Sequence, residues 1–256
     1  MLEAVIFDVD GTLVDSERDG HRVAFNRAFE EFGLPDRWEP EYYGELLHTT
    51  GGLHRIDRHL ATRGMPEPDR QRLVPELHRR KTEIFRELVA GGMLQPRPGV
   101  RRFLDELAQD GLRLAVATTG TRDGVVPLIH GLFGEECFAV VITRDEAPVL
   151  KPDPSAYVEA LKRLALEPDS AIAVEDSRNG LLSATDASLR CVVLVNAYTQ
   201  DHDLSGADLT MDGFGEAGAP ARVLNDPHHV HPEGVLRPAT LRRLAEHDRA
   251  ALASAH

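Results

Sequence analysis

The chain has 256 residues and a formal net charge of −13 at pH 7. This length can bury the core of one large domain or two smaller ones. The negative charge argues against a nucleic-acid partner, because clustered Lys and Arg carry that affinity, yet one local basic pocket suffices for a small phosphate ester. No run reaches the roughly 18 apolar residues of a membrane span. We expect a monomer in the cytoplasm, or in the plastid stroma of a photosynthetic eukaryote.

The first predicted element is a short buried strand from Leu2 to Phe7. A helix follows, beginning at Ser16 as its N-cap, in which apolar residues recur at helical spacing until Gly33. The next helix-like segments cover residues 38–47, 56–60, 73–77 and 82–89. Because so long a helical block exceeds an ordinary strand connection, residues 16–95 are predicted to form an inserted domain.

Helices and strands alternate from Arg97 onward. The predicted helices cover residues 100–107, 124–132, 153–164 and 180–187. The predicted strands cover residues 112–118, 138–142, 171–174 and 191–195. This alternation predicts an α/β fold, a doubly wound parallel sheet of the Rossmann-like kind, with its active site at the carboxyl ends of the strands. Residues 1–15 and 96–256 are predicted to form this core domain.

The C-terminal segment from residue 213 is assigned no chemistry, although residues 240–253 predict a charged amphipathic helix. It contains His228, His229 and His231, which are flanked by prolines. Because no cysteine is nearby, the pattern favours a solvated loop over a metal site.

Two carboxylates, Asp8 and Asp10, follow the first predicted strand and precede Gly11. Residues i and i+2 lie on the same side of an extended chain, and glycine lets the backbone turn, so the two acids can converge on one point. Crowded carboxylates repel one another unless a cation or a proton lies between them. The alternative is an ordinary acidic turn, since Asp-Gly is a common turn dipeptide.

A buried strand followed by Asp-x-Asp-Gly-Thr resembles motif I of the haloacid dehalogenase (HAD) superfamily of phosphotransferases. The resemblance implies that Asp8 is the nucleophile that becomes an aspartyl phosphate, and that Asp10 is the general acid and base. It also implies Mg²⁺, which offsets the repulsion between an anionic nucleophile and an anionic phosphate.

Two further motifs of that superfamily follow in the same order. The predicted strand 112–118 ends in Thr118, with Thr119 beside it, as in motif II, where a hydroxyl and the following backbone N–H groups bind phosphoryl oxygens. Taken alone, the β propensity of threonine would explain this strand end. Lys151 before Pro152 resembles motif III, in which a lysine pairs with both the nucleophilic carboxylate and the phosphate.

The predicted strand 171–174 ends in the paired acids Glu175 and Asp176, which match motif IV. Adjacent carboxylates at a sheet edge are hard to explain as packing, because they destabilise the fold unless a metal ion or a lysine is near. The resemblance implies that Asp176 and Asp8 bind Mg²⁺ together with the backbone carbonyl of Asp10, and that Glu175 lies in the second coordination sphere or near it. The implied metal-binding residues are Asp8, Asp10, Glu175 and Asp176.

The inserted helical block resembles the C1-type cap of the β-phosphoglucomutase-like branch. Its residues 15–26, 43–47, 51–55 and 78–83, together with 97–99 and 175–177 of the core, are similar to the CbbY-type proteins of that branch. That resemblance implies a phosphatase that removes the 1-phosphate of xylulose-1,5-bisphosphate, a small phosphorylated sugar. A bisphosphate needs a second cationic subsite, which Arg55 and Lys81 could supply together with the backbone N–H groups of Gly51 and Gly52. Glu17 and His21 could bind the sugar hydroxyls. The predicted substrate-binding residues are Glu17, His21, Gly51, Gly52, Arg55, Lys81 and Thr119.

Some alternatives stay open from the sequence. A sugar-phosphate mutase, or a phosphatase for another small phosphate monoester, would use the same chemistry. A phospho-accepting receiver domain also gathers acids, Thr and Lys, but it lacks the second acid, Asp10, and the helical insertion. The chain departs from its relatives at Gly120 and Arg122 in motif II, and at Leu53 and His54, where a lysine is usual.

Overall fold

The structure, a computed structural model, describes residues 1–49 and 51–247. The chain divides into two compact units. The first comprises Met1–Val14 and Pro96–His256, and the second comprises Asp15–Gln95. The roles predicted for these units, a catalytic core and a substrate-selecting cap, stay predictions. Within the described residues, no helix is both long enough and apolar enough to cross a membrane.

Five α-helices lie between the first and second strands of the described chain, and helices then alternate with strands up to the fifth strand. The strands are β1 (Ala4–Phe7), β2 (Arg113–Ala117), β3 (Val140–Ile142), β4 (Ala171–Glu175), β5 (Arg190–Leu194), β6 (Leu209–Met211) and β7 (Val223–Asn225). The helices are α1 (Arg22–Glu31), α2 (Pro40–Leu46), α3 (Gly52–Thr62), α4 (Glu67–Ala90), α5 (Val100–Gln109), α6 (Arg122–Phe133), α7 (Ser155–Leu164), α8 (Arg178–Asp186) and α9 (Pro238–Glu246).

The strands of the described chain form one sheet, in the order β3-β2-β1-β4-β5-β6-β7. All of its neighbouring strands are parallel except β6 and β7. The prediction of a doubly wound, mostly parallel α/β fold is therefore confirmed. The sequence did not predict β6 or β7, which are three residues each and too short to show a periodic pattern.

The central strand β1 is buried along its whole length, as a strand covered by helices on both faces must be. Its residue Phe7 is level with Val116 of β2 and with Val174 of β4. The chain segments that follow these three strands therefore emerge at one edge of the sheet. Three of the four predicted motifs lie in those segments.

The two faces of the sheet have different packing. Small side chains on one face, such as Ala4, Ala115 and Ala173, form a buried cluster with Tyr157 and Leu181 from α7 and α8. Small residues let these helices approach the sheet closely. This close packing fixes the position of the chain segments that follow the strands. The opposite face carries buried aromatic rings, including Phe7, Phe103, Phe138 and Phe214.

The second unit begins with a π-helical turn, Glu17–His21, that continues directly into α1. Ser16 has right-handed helical backbone angles, φ −66° and ψ −28°, so it does not have the extended backbone of the N-cap that we predicted. Gly20 is required in this turn, because a Cβ there would lie 2.8 Å from the ring of Phe85.

The longest helix, α4, corrects the prediction of two separate segments at 73–77 and 82–89. Pro68 lies in its first turn, where the missing N–H would have no partner anyway. Pro75 lies in its interior and removes one helical hydrogen bond. The helix nevertheless continues, because one apolar face stays buried on both sides of Pro75, from Val74 to Leu88.

The C-terminal segment corrects the solvated-loop prediction at one histidine. His228 is buried, and its Nε2 lies 2.9 Å from Oδ1 of Asp208, which also accepts a hydrogen bond from Arg190. His229 and His231 are exposed, as predicted. Helix α9 ends at Glu246, and residues 248–253 of the predicted helix lie outside the described residues.

Candidate active site

Lys151 joins three of the predicted motifs at the carboxyl edge of the sheet. Its ammonium nitrogen donates to Oδ1 of Asp8 at 2.7 Å, to Oε1 of Glu175 at 2.5 Å and to the backbone oxygen of Ala117 at 2.9 Å. All three partners follow or end a central parallel strand. Burial lowers the pKa of Lys151, but the negative charges of Asp8 and Glu175 outweigh it, so the pKa lies above its usual value and the ammonium stays charged.

Glu175 is held by several donors. Besides Lys151, the Tyr157 hydroxyl donates to Oε1 at 2.6 Å, and the Asp176 backbone N–H donates to Oε2 at 3.3 Å. Gly180 packs against this carboxylate so closely that a Cβ there would lie 1.9 Å from Oε2. The Glu175 carboxylate is therefore directed at Lys151, and its predicted role as a metal ligand stays a prediction.

Three carboxylates at this edge could hold a metal ion. Asp8, Glu175 and Asp176 are all buried, and each offers a ligand oxygen within 4.8 Å of the others. Hard oxygen donors at this spacing suit a divalent cation such as Mg²⁺. The backbone carbonyl of Asp10, predicted as a further ligand, belongs to the turn that follows Asp8, and its role stays a prediction.

The electrostatics of the cluster also fit a cation. Burial raises the pKa of Asp8 well above its usual value, and the negative charges of Glu175 and Asp176 add to this, although Lys151 opposes it. Burial likewise raises the pKa of Asp176 to about 7, with a further contribution from Glu175. Carboxyl groups that are costly to ionise in the metal-free protein are those that a divalent cation would stabilise most.

Asp176 is positioned by residues that sequence reasoning missed. The amide of Asn196 donates to its Oδ2 at 2.7 Å and to the backbone oxygen of Gly11 at 3.2 Å. Gly11 has a φ of +91°, and a Cβ there would lie 2.3 Å from Asp176 Oδ2, so this position requires glycine. Arg97 also donates to the Gly11 oxygen, at 2.6 Å.

Thr118 lies where motif II is expected. Its side chain is buried, and its hydroxyl oxygen accepts a hydrogen bond from the Gly120 N–H at 3.1 Å. Thr119 is exposed. Gly120 packs against Val125, since a Cβ there would lie 2.5 Å from Cγ2 of that residue. That Cβ would also lie 3.5 Å from Oδ2 of Asp10, so the second acid of motif I is close to this loop.

In the second unit, Tyr43 connects two of the predicted substrate-binding residues. Its buried hydroxyl donates to Glu17 Oε2 at 2.5 Å and accepts from Arg55 Nη1 at 2.8 Å. Arg55 is itself buried, and its Nε has no hydrogen-bond partner among the described residues. Burial alone would raise the pKa of Glu17, but His21, Arg55 and the Tyr43 hydrogen bond lower it, so Glu17 stays ionised.

The other predicted cap residues lie in the same unit. His21 Nδ1 is 2.9 Å from Lys81 Nζ, and its ring stacks on Phe85 with centroids 4.0 Å apart. Burial, together with the charge of Lys81, lowers the pKa of His21 to about 3, so the imidazole is neutral at physiological pH. Gly52 packs against His78, whose Nε2 would lie 2.9 Å from a Cβ at that position, and Gly51 has a φ of +90°.

We expect Asp176→Asn to change the pH dependence of stability in the metal-free protein. The native pKa of about 7 lies above the ordinary value of 3.8, so the native state holds a proton that the unfolded chain has lost, and wild-type stability falls as pH rises from about 4 to about 7. Asparagine cannot titrate. The free energy of unfolding of the variant, relative to wild type, should therefore rise by a few kcal/mol over that window.

Urea unfolding in EDTA at pH 4.5 and pH 7.5 measures this difference. Comparison with wild type at each pH cancels the opposite contribution of His21, whose lowered pKa favours folding as pH rises. Asp186→Asn, at an exposed position of α8, is the matched control. A difference between Asp176→Asn and wild type that does not vary with pH would contradict the prediction.

Comparison with known proteins agrees with this geometry. The family of haloacid dehalogenase-like hydrolases matches residues 2–188. Protein CbbY of Cereibacter sphaeroides is 43% identical over 222 residues, which cover 85% of this chain and 95% of that protein. A CBBY-like protein of Arabidopsis thaliana is 36% identical over 221 residues, covering 83% of this chain and 69% of that protein.

A solved structure gives a comparison in three dimensions. It is a mutant of CbbY from Rhodobacter sphaeroides in complex with xylulose-1,5-bisphosphate, and it is similar with a TM-score of 0.72 and 41% identity over 85% of this chain and 97% of that one. Fold and site together thus define an α/β hydrolase with an acidic cluster at the ends of its parallel strands. The chain belongs to the haloacid dehalogenase-like hydrolases.

Proposed function

We propose that this hydrolase is a Mg²⁺-dependent phosphatase that acts on sugar phosphates through an aspartyl phosphate on Asp8. The observation that carries this proposal is the contact of Lys151 with Asp8 and Glu175 beside Asp176. A carboxylate that is paired with a lysine and sits among further acids is suited to attack an anionic phosphate once a cation offsets the charge. Bound Mg²⁺ would supply that charge and would act as a Lewis acid on the phosphoryl oxygens.

The residues of the chain account for both half-reactions. In the first, a carboxylate oxygen of Asp8 forms a bond to phosphorus while the bond from phosphorus to the sugar oxygen breaks, and Asp10 gives its proton to that oxygen. In the second, water gives a proton to Asp10 and attacks phosphorus, and the bond to Asp8 breaks. Thr118 is proposed to donate a hydrogen bond from its hydroxyl group to a phosphoryl oxygen, and the positive charge of Lys151 favours the ionised form of Asp8.

For the substrate we propose xylulose-1,5-bisphosphate, which the similar CbbY structure binds. The buried cations of the second unit support a bisphosphate, because Arg55 Nε has no hydrogen-bond partner in the described part of the chain and Lys81 lies beside the neutral His21. Glu17 is proposed to accept hydrogen bonds from sugar hydroxyls, and the Gly51 and Gly52 N–H groups to bind the second phosphate. Thr119 is proposed to contact the substrate as well. We also propose a location in the cytoplasm, or in the plastid stroma of a photosynthetic eukaryote.

We expect Arg55→Met to raise KM for xylulose-1,5-bisphosphate by about 10-fold to 100-fold, because a hydrogen bond to a charged group contributes about 1.5–3 kcal/mol. The value of kcat/KM for p-nitrophenyl phosphate, which has no second phosphate, should change by no more than about threefold. Arg58→Met removes an exposed arginine from the same helix, α3, and is the control. Equal losses on both substrates would contradict the role of Arg55.

The fluorescence of Trp38 reports whether the Arg55 variant retains its local structure. It is the single tryptophan of the chain, it is fully buried, and its ring centroid is 5.8 Å from that of Tyr43, the residue that bonds Arg55. An unchanged emission spectrum in the free variant would show that the packing around Tyr43 persists. A kinetic loss could then be assigned to the missing guanidinium group.

A phosphate-release screen tests the proposed function. The substrates are sugar monophosphates and bisphosphates, including xylulose-1,5-bisphosphate and ribulose-1,5-bisphosphate, each with Mg²⁺ and with EDTA. Release of phosphate only in the presence of Mg²⁺, with preference for the pentulose bisphosphate, is expected. An isomerised sugar phosphate without free phosphate would show a mutase, and a clear preference for a monophosphate would remove the two-phosphate assignment.

A further inference from the structure

The turn after β5 places an amide beside the acidic cluster. Asn196 is the first residue of this turn that is not buried, and its backbone N–H donates to the Thr199 hydroxyl at 3.0 Å. The Thr199 N–H donates back to the Asn196 oxygen at 3.1 Å. These two bonds close the turn and fix the Asn196 backbone.

The orientation of the Asn196 side chain is also determined. Its carbonyl oxygen accepts a hydrogen bond from the Tyr198 N–H at 2.8 Å. The amide nitrogen must therefore face the other way, where it lies 2.7 Å from Asp176 Oδ2 and 3.2 Å from the Gly11 oxygen. Both of these partners are acceptors, and an amide nitrogen carries two hydrogens, so one group satisfies both.

The two acceptors differ in how much they depend on Asn196. The Gly11 oxygen also receives the Arg97 guanidinium at 2.6 Å, and Arg97 further donates to the backbone oxygens of Leu194 and Val195 at 2.9 Å and 2.7 Å. Among the described residues, Asn196 alone donates a side-chain hydrogen bond to Asp176. Loss of the amide would thus leave the backbone of this region anchored by Arg97 and leave Asp176 without its donor.

We infer that Asn196 is a positioning residue for the metal site, which holds one oxygen of Asp176 so that the carboxylate is pre-oriented for a divalent cation. Residues that orient metal ligands by hydrogen bonds commonly change metal affinity by 10-fold to 100-fold when they are removed. This inference rests on the proposed function, because it takes Asp176 as a ligand. It adds a residue that acts through its hydrogen bond to Asp176.

Mn²⁺ binding to the full-length protein tests the inference without reference to turnover. Electron paramagnetic resonance of free Mn²⁺ gives the dissociation constant for wild type, Asn196→Ala, Asn196→Asp and Asp176→Asn. We expect Asn196→Ala to weaken binding by about 10-fold to 100-fold. Asn196→Asp keeps the size of the side chain but replaces the amide donor with a negatively charged acceptor. Its Mn²⁺ affinity therefore combines the loss of the hydrogen bond with the added negative charge. It is measured in place of Asn196→Ala if the alanine variant does not fold.

Asn225→Ala, at an exposed position of β7, is the matched control and should bind Mn²⁺ as wild type does. At saturating Mg²⁺, kcat of Asn196→Ala should recover to within about threefold of wild type, which a general loss of structure would not allow. Wild-type affinity in Asn196→Ala, or an equal loss in Asn225→Ala, would overturn the inference. If Asp176→Asn also bound Mn²⁺ like wild type, the metal site itself would be wrong.

Discussion

Asp8→Asn is expected to lower kcat for phosphate release by at least about 10⁴-fold while the protein stays folded. The amide is a poor nucleophile, so the aspartyl phosphate cannot form. Folding should persist because Lys151 keeps Glu175 and the Ala117 carbonyl as partners. Since burial raises the pKa of Asp8, its ionised form opposes folding in the metal-free protein, and the neutral variant should be no less stable than wild type.

Acid-quenched protein after incubation with ³²P-labelled substrate should carry label in wild type and none in Asp8→Asn. Thermal unfolding in EDTA measures the stability, and Asp105→Asn, at an exposed position of α5, is the control for removal of one carboxylate from the same unit. A variant that keeps more than about 1% of the wild-type rate, or that still becomes labelled, would remove Asp8 from the role of nucleophile.

Asp10→Asn separates a phosphatase from a phospho-accepting signalling domain. The variant keeps the nucleophile but has no proton to give to the leaving oxygen and no base to activate water. Phosphate release at the wild-type rate would therefore contradict the proposed role of Asp10. The family match already identifies the chain as a hydrolase, and a receiver domain is not supported.

The meeting of the motif residues was predictable because it depends on two simple features of the sequence. Four apolar residues form β1, and four apolar residues followed by Glu175 form β4; both strands are buried, as uninterrupted apolar runs are in parallel sheets. Parallel neighbours end at the same edge, so Asp8, beyond Phe7, and Glu175, beyond Val174, must be close. Residue order and strand pattern were thus sufficient for this part of the site.

The supporting residues were not predictable in the same way. The supporting side chains come from three separate parts of the chain. Tyr157 lies in helix α7, Asn196 in the turn after β5, and Arg97 at the start of the second segment of the core. Each contact joins residues that are not neighbours in sequence, and neither Asn196 nor Arg97 belongs to a periodic pattern. Only the packed sheet brings them together, and a tyrosine in an amphipathic helix is ordinarily interpreted as core.

The incorrect predictions have a common cause, which is that tertiary packing overrode a local signal. Two separate helical segments were expected at 73–77 and 82–89, but the face of α4 that is buried from Val74 to Leu88 joins them into one helix, even with Pro75 in its interior. His228 was expected in solvent because its neighbours are polar and proline-rich. Asp208, which already accepts from Arg190 and from the Cys191 N–H, supplies a buried partner that the sequence does not show.

Lys151→Met is expected to lower the free energy of unfolding by about 3–5 kcal/mol and kcat by at least about 10³-fold. The substitution removes the ammonium group that contacts both Asp8 and Glu175, at 2.7 Å and 2.5 Å, and leaves those buried carboxylates uncompensated. Activity falls because the nucleophile loses the positive charge that favours its ionised form and the phosphate loses a cation. Urea unfolding at pH 7.5 in EDTA, and phosphate release in Mg²⁺, measure the two losses.

A second substitution separates the structural effect from the catalytic one. The double variant Lys151→Met/Glu175→Gln also removes the Glu175 carboxylate, which has lost its ion-pair partner. Its free energy of unfolding should therefore be higher than that of Lys151→Met, whereas its turnover should equal that of Lys151→Met. Mg²⁺ should stabilise the single variant by replacing some of the missing positive charge. Lys162→Met, at an exposed position of α7, controls for removal of a lysine. A double variant no more stable than Lys151→Met would show that the loss comes from packing, since Lys151 also lies 5.0 Å above the Tyr157 ring, and not from unpaired charge.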